Sequence, residues 1–197
     1  PIAISGTKGA ASTYEGIVIN STVGFASALP AGFGIASPVT SSSSDISLTT
    51  DTLSANRVFG GGAFTGSAVQ SSGTLTIAPR TAGKALAVQT SNPGGTAAWI
   101  NPASMFGASG LFKTGFSKLV FGSSTTGDIT LDGYAFDNDT ELNTGGNAVL
   151  GATTIASGTL TVNMNGSGSI TDSGALAVSR LNLNGSSSAA TLDNTGN

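Results

Sequence analysis

Residues 115–136 read GFSKLVFGSSTTGDITLDGYAF, and they hold a complete strand, turn and strand. Leu119 and Phe121 alternate with Val120 and Gly122, Ile129 and Leu131 alternate with Thr130 and Asp132, and the polar residues 123–128 part the two pairs. Side chains on a strand point to opposite faces with period two. Leu119, Phe121, Ile129 and Leu131 therefore share one interior, while the Thr and Asp positions face outward. No residue in the stretch has the look of a catalytic group, so it speaks about architecture.

The flanking sequence repeats this unit with variations. Ile46 and Leu48 alternate in DISLTTDTL at 45–53, Leu75 and Ile77 in GTLTIA at 73–78 before Pro79, and Leu86 and Val88 form a further pair. Later the pattern tightens into brief strands at 153–155, 158–164 (GTLTVNM), 169–171, 174–178 (GALAV), 181–183 (LNL) and 191–192, punctuated by Gly, Asn, Asp and Ser. Ile2 and Ile4, and residues 14–19, read as strands near the start, whereas 23–38, rich in Gly, Ala and Pro, reads as loop or edge. The serine run 41–44 is too short to part domains. Glycines 60–62 lack the Lys-Ser/Thr ending of a phosphate loop and read as a tight turn. Asn101-Pro102 predicts a short helix reaching through Met105 towards Leu111, with Asn as its cap, and Gly107 and Gly110 argue against much length.

Strands this short, with no helices between most of them, can bury their apolar faces only by stacking on neighbours. The expected fold is all-β: a parallel β-helix with roughly 20 residues per coil, about nine or ten coils, and a single solenoid segment over 1–197. The alternative is an antiparallel β-sandwich, for which Asp132-Gly133, Asn165-Gly166 and Asn184-Gly185 would supply hairpin turns. Against it, the inward pairs are mostly two residues deep, shorter than the roughly five or six residues of a typical strand.

Composition narrows the function. Charged residues are 9% of the 197, against about 25% in ordinary globular proteins, so hydroxyls and amides must wet the surface. That suits an extracellular fibre. With 39% apolar residues in regular alternation the chain can still fill a core. There is no cysteine and no histidine, which removes disulfides, thiol nucleophiles, imidazole bases and the commonest zinc ligands. The net charge is −3, and the seven basic residues are scattered singly, so no patch awaits phosphates and no nucleic-acid partner is expected. No apolar run approaches the roughly 20 residues that span a bilayer. The chain opens at Pro1 and closes in the repeat style at Asn197, so it is expected to be a piece of a longer fibre, its ends meeting neighbouring coils or identical subunits end to end.

Three stretches, DISLTTDTL at 45–53, SSGTLTIAPRTAG at 71–83 and GFSKLVFGSSTTGDITLDG at 115–133, resemble the filamentous haemagglutinin-like exoproteins of bacterial two-partner secretion. The likeness covers the middle half of the chain. It implies a right-handed parallel β-helix, export through an outer-membrane secretion partner, residence at the bacterial cell surface, and a part in adhesion, biofilm or surface structure. It brings no catalytic residues with it.

Candidate sites are few. Asp128, Asp132, Asp137, Asp139 and Glu141 form the densest carboxylate cluster, a possible set of oxygen ligands for calcium but without an EF-hand or β-roll spacing. The same cluster is the best place for the paired carboxylates of a glycoside hydrolase, the enzymatic rival reading, with a pair such as Asp137 and Asp139 on one face, although no Arg and few aromatics accompany them. Trp99, Tyr14 and Tyr134 read first as single aromatics closing a coil or its end and, if exposed, are candidates for a platform that binds a host or cell-surface glycan. Asn20, Asn138, Asn165 and Asn184 each open an N-x-S/T sequon and read first as turn residues or stacked amides. The expectation is a non-enzymatic chain with no catalytic, cofactor-binding or metal residues and no cofactor.

Overall fold

The computed structural model describes residues 2–6, 17–20, 33–35, 39–40, 43–56, 69–106, 110–185 and 189–197. In chain order its elements are β1 (Ile2–Gly6), β2 (Ile17–Asn20), β3 (Phe33–Ile35), β4 (Val39–Thr40), β5 (Ile46–Thr50), β6 (Leu53–Asn56), β7 (Val69–Gln70), β8 (Thr74–Ala78), β9 (Leu86–Gln89) and β10 (Ala98–Ile100). After the helix α1 (Pro102–Met105) come β11 (Lys118–Gly122), β12 (Ile129–Asp132), β13 (Tyr134–Ala135), β14 (Asp139–Thr144), β15 (Ala148–Leu150), β16 (Thr153–Met164), β17 (Ile170–Asp172), β18 (Leu176–Asn184) and β19 (Ala190–Thr191). The chain is all-β, and every recorded pairing between these strands is parallel. The antiparallel sandwich is thereby corrected. Its supposed hairpin turns are corners: Asp132-Gly133 leads from the second sheet into the main one, and Asn165-Gly166 and Asn184-Gly185 lead from the main sheet towards the second.

The main sheet runs β1-β5-β8-β11-β14-β16-β13, with β18 also on β16, and the second runs β10-β9-β12-β15-β17-β19. Two small sheets, β3-β2-β6 and β4-β7, complete the set. Each pass of the chain through the later half visits the main and second sheets in the same order, and the next pass lies on it in register. Ile46, Leu75, Leu119, Thr140, Leu160 and Leu181 share one position of the main sheet, and Leu48, Ile77, Phe121, Leu142, Val162 and Leu183 share the next inward one. In the second sheet Leu86, Ile129, Ala148 and Ile170 are stacked in the same way. Apolar residues two apart thus become columns, and the columns are the core: Ile129, Leu131, Leu142, Leu150, Leu160 and Val162 are all 0% exposed.

Spacing between passes is not constant, in keeping with the uneven spacing of the inward pairs in the sequence. Asn143 and Asn163 lie 20 residues apart and Asn163 and Asn184 21 apart, but Asp45 and Thr74 are 29 apart, and the step from β8 to β11, which pairs Leu75 with Leu119, is about twice the later spacing. Among the described residues the main sheet stacks seven strands along β1, β5, β8, β11, β14, β16 and β18. The long step holds an excursion. After β9 the chain turns back through Gly94 and Gly95, both at left-handed φ (70° and 71°), and lays β10 on the side of β9 away from β12. Helix α1 follows with the expected cap, Asn101 Oδ1 accepting from Ala103 N (3.1 Å) and Ser104 N (3.4 Å). It ends at Met105, not near Leu111, because Phe106 is already extended (φ −110°, ψ 160°).

Strand length is a second correction. β16 spans 12 residues and β18 nine, so 153–155 and 158–164 are one strand with an irregularity between Ile155 and Thr159. Within 23–38, read as loop or edge, Phe33–Ile35 is an edge strand of the sheet β3-β2-β6. The reading of 60–62 as a tight turn and Tyr14 as a platform residue fall outside the described residues.

Candidate functional site

The carboxylates are placed by the corners between strands, and most are already engaged. Asp128 Oδ1 accepts from Asn147 N (2.7 Å), Asp132 Oδ1 from Ala152 N (2.7 Å) and Asp139 Oδ1 from Thr159 N (2.7 Å). Asp45 does the same for Thr74 N (2.7 Å) and Asn147 for Ser169 N (3.0 Å). In all five cases the donor follows a glycine, Gly146, Gly151, Gly158, Gly73 or Gly168. The reason is space. A Cβ at Gly151 would run into the Asp132 carboxylate, and one at Gly146 into that of Asp128. An acid on one pass thus caps an amide on the next, satisfying a backbone donor that the sheet leaves unpaired at the corner. This recurring pair, Asx below and Gly-X above, was missed in the sequence. Its signal was there, as an Asp or Asn followed one spacing later by glycine.

The remaining members of the cluster go elsewhere. Glu141 Oε2 meets Lys118 Nζ at 2.9 Å and its Oε1 accepts from Asn143 Nδ2 (2.9 Å). Burial pushes the Glu141 carboxyl up, but the Lys118 and Asn143 hydrogen bonds and the lysine charge outweigh it, and the net effect is a lowered pKa. Asp137 is exposed beside Tyr134 and Phe136. Asp137 and Asp139 therefore do not work as a pair, since Asp139 turns to the next pass. Among the described residues, no three His, Cys, Asp or Glu side chains gather as a metal ion would require.

The sequon asparagines divide. Asn184 Nδ2 donates to Asn163 Oδ1 (2.8 Å), and Asn163 Nδ2 to Asn143 Oδ1 (2.9 Å), so a ladder of amides climbs the outer face from Glu141. Asn165 donates to Asn163 O (3.2 Å), and Asn138 donates to Phe116 O at a corner. Asn20 is in register with Asn56.

Of the aromatic candidates, Tyr134 is half-buried in a cluster with Phe106, Phe112, Phe121 and Phe136, at centroid distances of 4.9 to 6.3 Å between neighbouring rings. Phe106 and Phe112 belong to the excursion and fasten it to the stack. Burial, and then the charge of Asp137, push the Tyr134 hydroxyl pKa up. Trp99 is different. It faces outward on β10 between buried Ala98 and Ile100, and its Nε1 donates to Gln89 O (2.9 Å) on the neighbouring strand. The ring lines a cleft of about 180 Å³ bounded by the corner at 51–53 and the loop at 92–97. Asp51 stands at its edge, Oδ1 accepting from Arg80 N (3.0 Å) and Thr81 N (2.9 Å) and Oδ2 from Thr81 Oγ1 (2.6 Å). Burial raises the Asp51 pKa, but these bonds and the Lys84 charge bring it below the ordinary value. Asn92 Oδ1 is held by Gly94 N (2.9 Å). Sequence reasoning had only Trp99 of this cleft, because the wall at 51–53 comes from a different pass. No protein-family model, no curated protein and no solved structure matches the chain.

Proposed function

We propose that the chain is a stiff, non-catalytic segment of an extracellular bacterial fibre, folded as a right-handed parallel β-helix and serving attachment in the manner of the filamentous haemagglutinin-like exoproteins it resembles. One observation carries this reading. Acids that would be candidates for chemistry are spent as caps from one pass to the next, Asp128, Asp132 and Asp139 each holding a backbone amide about one pass ahead. Chemistry on a polysaccharide needs two carboxylates free to face one bond. Stacked parallel passes give length and stiffness instead, since each pass contacts only its neighbours. A filament of identical subunits is a second reading, favoured by the outer edge of β18. There Leu183 is 38% exposed, while Val162 beneath it is fully buried.

Beads coated with the purified chain test the proposal on glycan-coated and cell-coated surfaces, with polysaccharide hydrolysis followed in parallel. Retention without release of reducing ends is the expected result. Reducing ends that disappear in Asp137→Asn or Asp139→Asn would replace the fibre reading with a glycoside hydrolase.

A further inference from the structure

We propose that the Trp99 cleft is a subsite for a single neutral hexopyranose ring at the end or branch of a surface glycan. The inference rests on the adhesive reading, to which it gives a ligand class and a place.

Size comes first. At about 180 Å³ the cleft is many times the roughly 10–15 Å³ that one water needs, yet short of the roughly 300 Å³ at which drug-sized sites begin. It suits one sugar ring and excludes a long run of them.

Its walls have the complementary chemistry. The indole is locked by the bond from Nε1 to Gln89 O, so the ring offers its apolar surface and no longer its donor. A ring already fixed loses little entropy on binding. Leu53, 8% exposed, supplies a further apolar surface. The same cleft is lined by a donor and an acceptor. Asn92 is held by its oxygen on Gly94 N, leaving the two N–H groups of Nδ2 for a ligand. Asp51 accepts three protein hydrogen bonds out of about four acceptor positions on a carboxylate. Neighbouring sugar hydroxyls, each both donor and acceptor, match such a pair. An anionic sugar would meet the Asp51 charge and be disfavoured.

Trp99 is the one tryptophan of the chain, so its fluorescence reports the site without labelling. The full chain is titrated with the methyl glycosides of glucose, galactose and mannose, following emission and the Asn92 side-chain amide resonance. At least one should give a saturable change with a Kd of about millimolar order, as expected for so small a ligand. Asn92→Asp keeps the oxygen that caps Gly94 and removes both donors, and should weaken that glycoside about tenfold. Thr191→Ala, on exposed β19, should leave it unchanged. No response from any of the three glycosides, or equal binding by Asn92→Asp, overturns the subsite. That failure is distinct from failure of the fibre reading, which is judged by bead retention and hydrolysis.

Discussion

Ile129 and Thr130 are neighbours on β12 with opposite fates, the first fully buried and the second half-exposed on the outer face. Ile129→Asp would leave an unpaired carboxylate among stacked aliphatic side chains, at a cost of several kcal/mol. Thr130→Asp should be mild, and thermal melts of the two variants should differ widely. Gly151 makes a sharper test because its constraint comes from another pass. Adding a methyl there forces the chain away from the Asp132 carboxylate, so Gly151→Ala should destabilise by about 1–3 kcal/mol. In the double variant with Asp132→Ala the two costs should fall short of their sum, since the second change removes the obstacle to the first. Additive denaturant midpoints would mean that the pair does not act together. Alternation made Ile129 legible from its neighbours alone. Gly151 was not, because nothing local says which acid lies beneath it.

Strands showed the same division. β11 and β12 could be read directly, since Leu119, Phe121, Ile129 and Leu131 alternate without a break. β16 could not, because Ala156, Ser157 and Gly158 look like a turn, whereas the strand continues through them with a shift of register between Ile155 and Thr159. The excursion between β9 and β11 was hidden for a related reason: Trp99 shares a register with Ala87, and only the backward turn at Gly94 and Gly95 brings that about. The bonds between elements also set an acid limit. Asp51, which ties the β5–β6 corner to Arg80 and Thr81, and Glu141, which ties β14 to β11, both have lowered folded pKa values. A carboxylate of this kind stabilises the fold above its unfolded pKa of about 4, and that contribution disappears as pH falls through the lower folded value. The melting temperature should hold from neutral pH down to about pH 5 and decline below about pH 4. Glu141→Gln should be less stable at neutral pH and show a shallower decline, and a parallel acid profile would detach Glu141 from the effect.

Across the whole molecule, contacts run from one pass to the next, and among the described residues β16 is the strand recorded against β18, where Leu181 is half-exposed and Leu183 exposed. The chain should therefore associate at high concentration, and sedimentation should show Leu183→Lys reducing that association. A wild-type chain that stays monomeric, with hydrogen-exchange protection reaching Asn184, would mean that the edge is already closed. The spacing of 20 residues that carries Asn143 onto Asn163 has a different kind of consequence. Deleting residues 139–158 brings Leu160 over Leu119 and Val162 over Phe121, the positions those columns already pair through Thr140 and Leu142. No apolar side chain changes sides, so the shortened chain should still melt cooperatively, whereas deleting residues 139–148 would put corner residues where strands must be. Heritable variation in length is thus tolerated in whole passes and penalised in fractions of one. Alleles of this gene should differ by about 20 residues or multiples of that length.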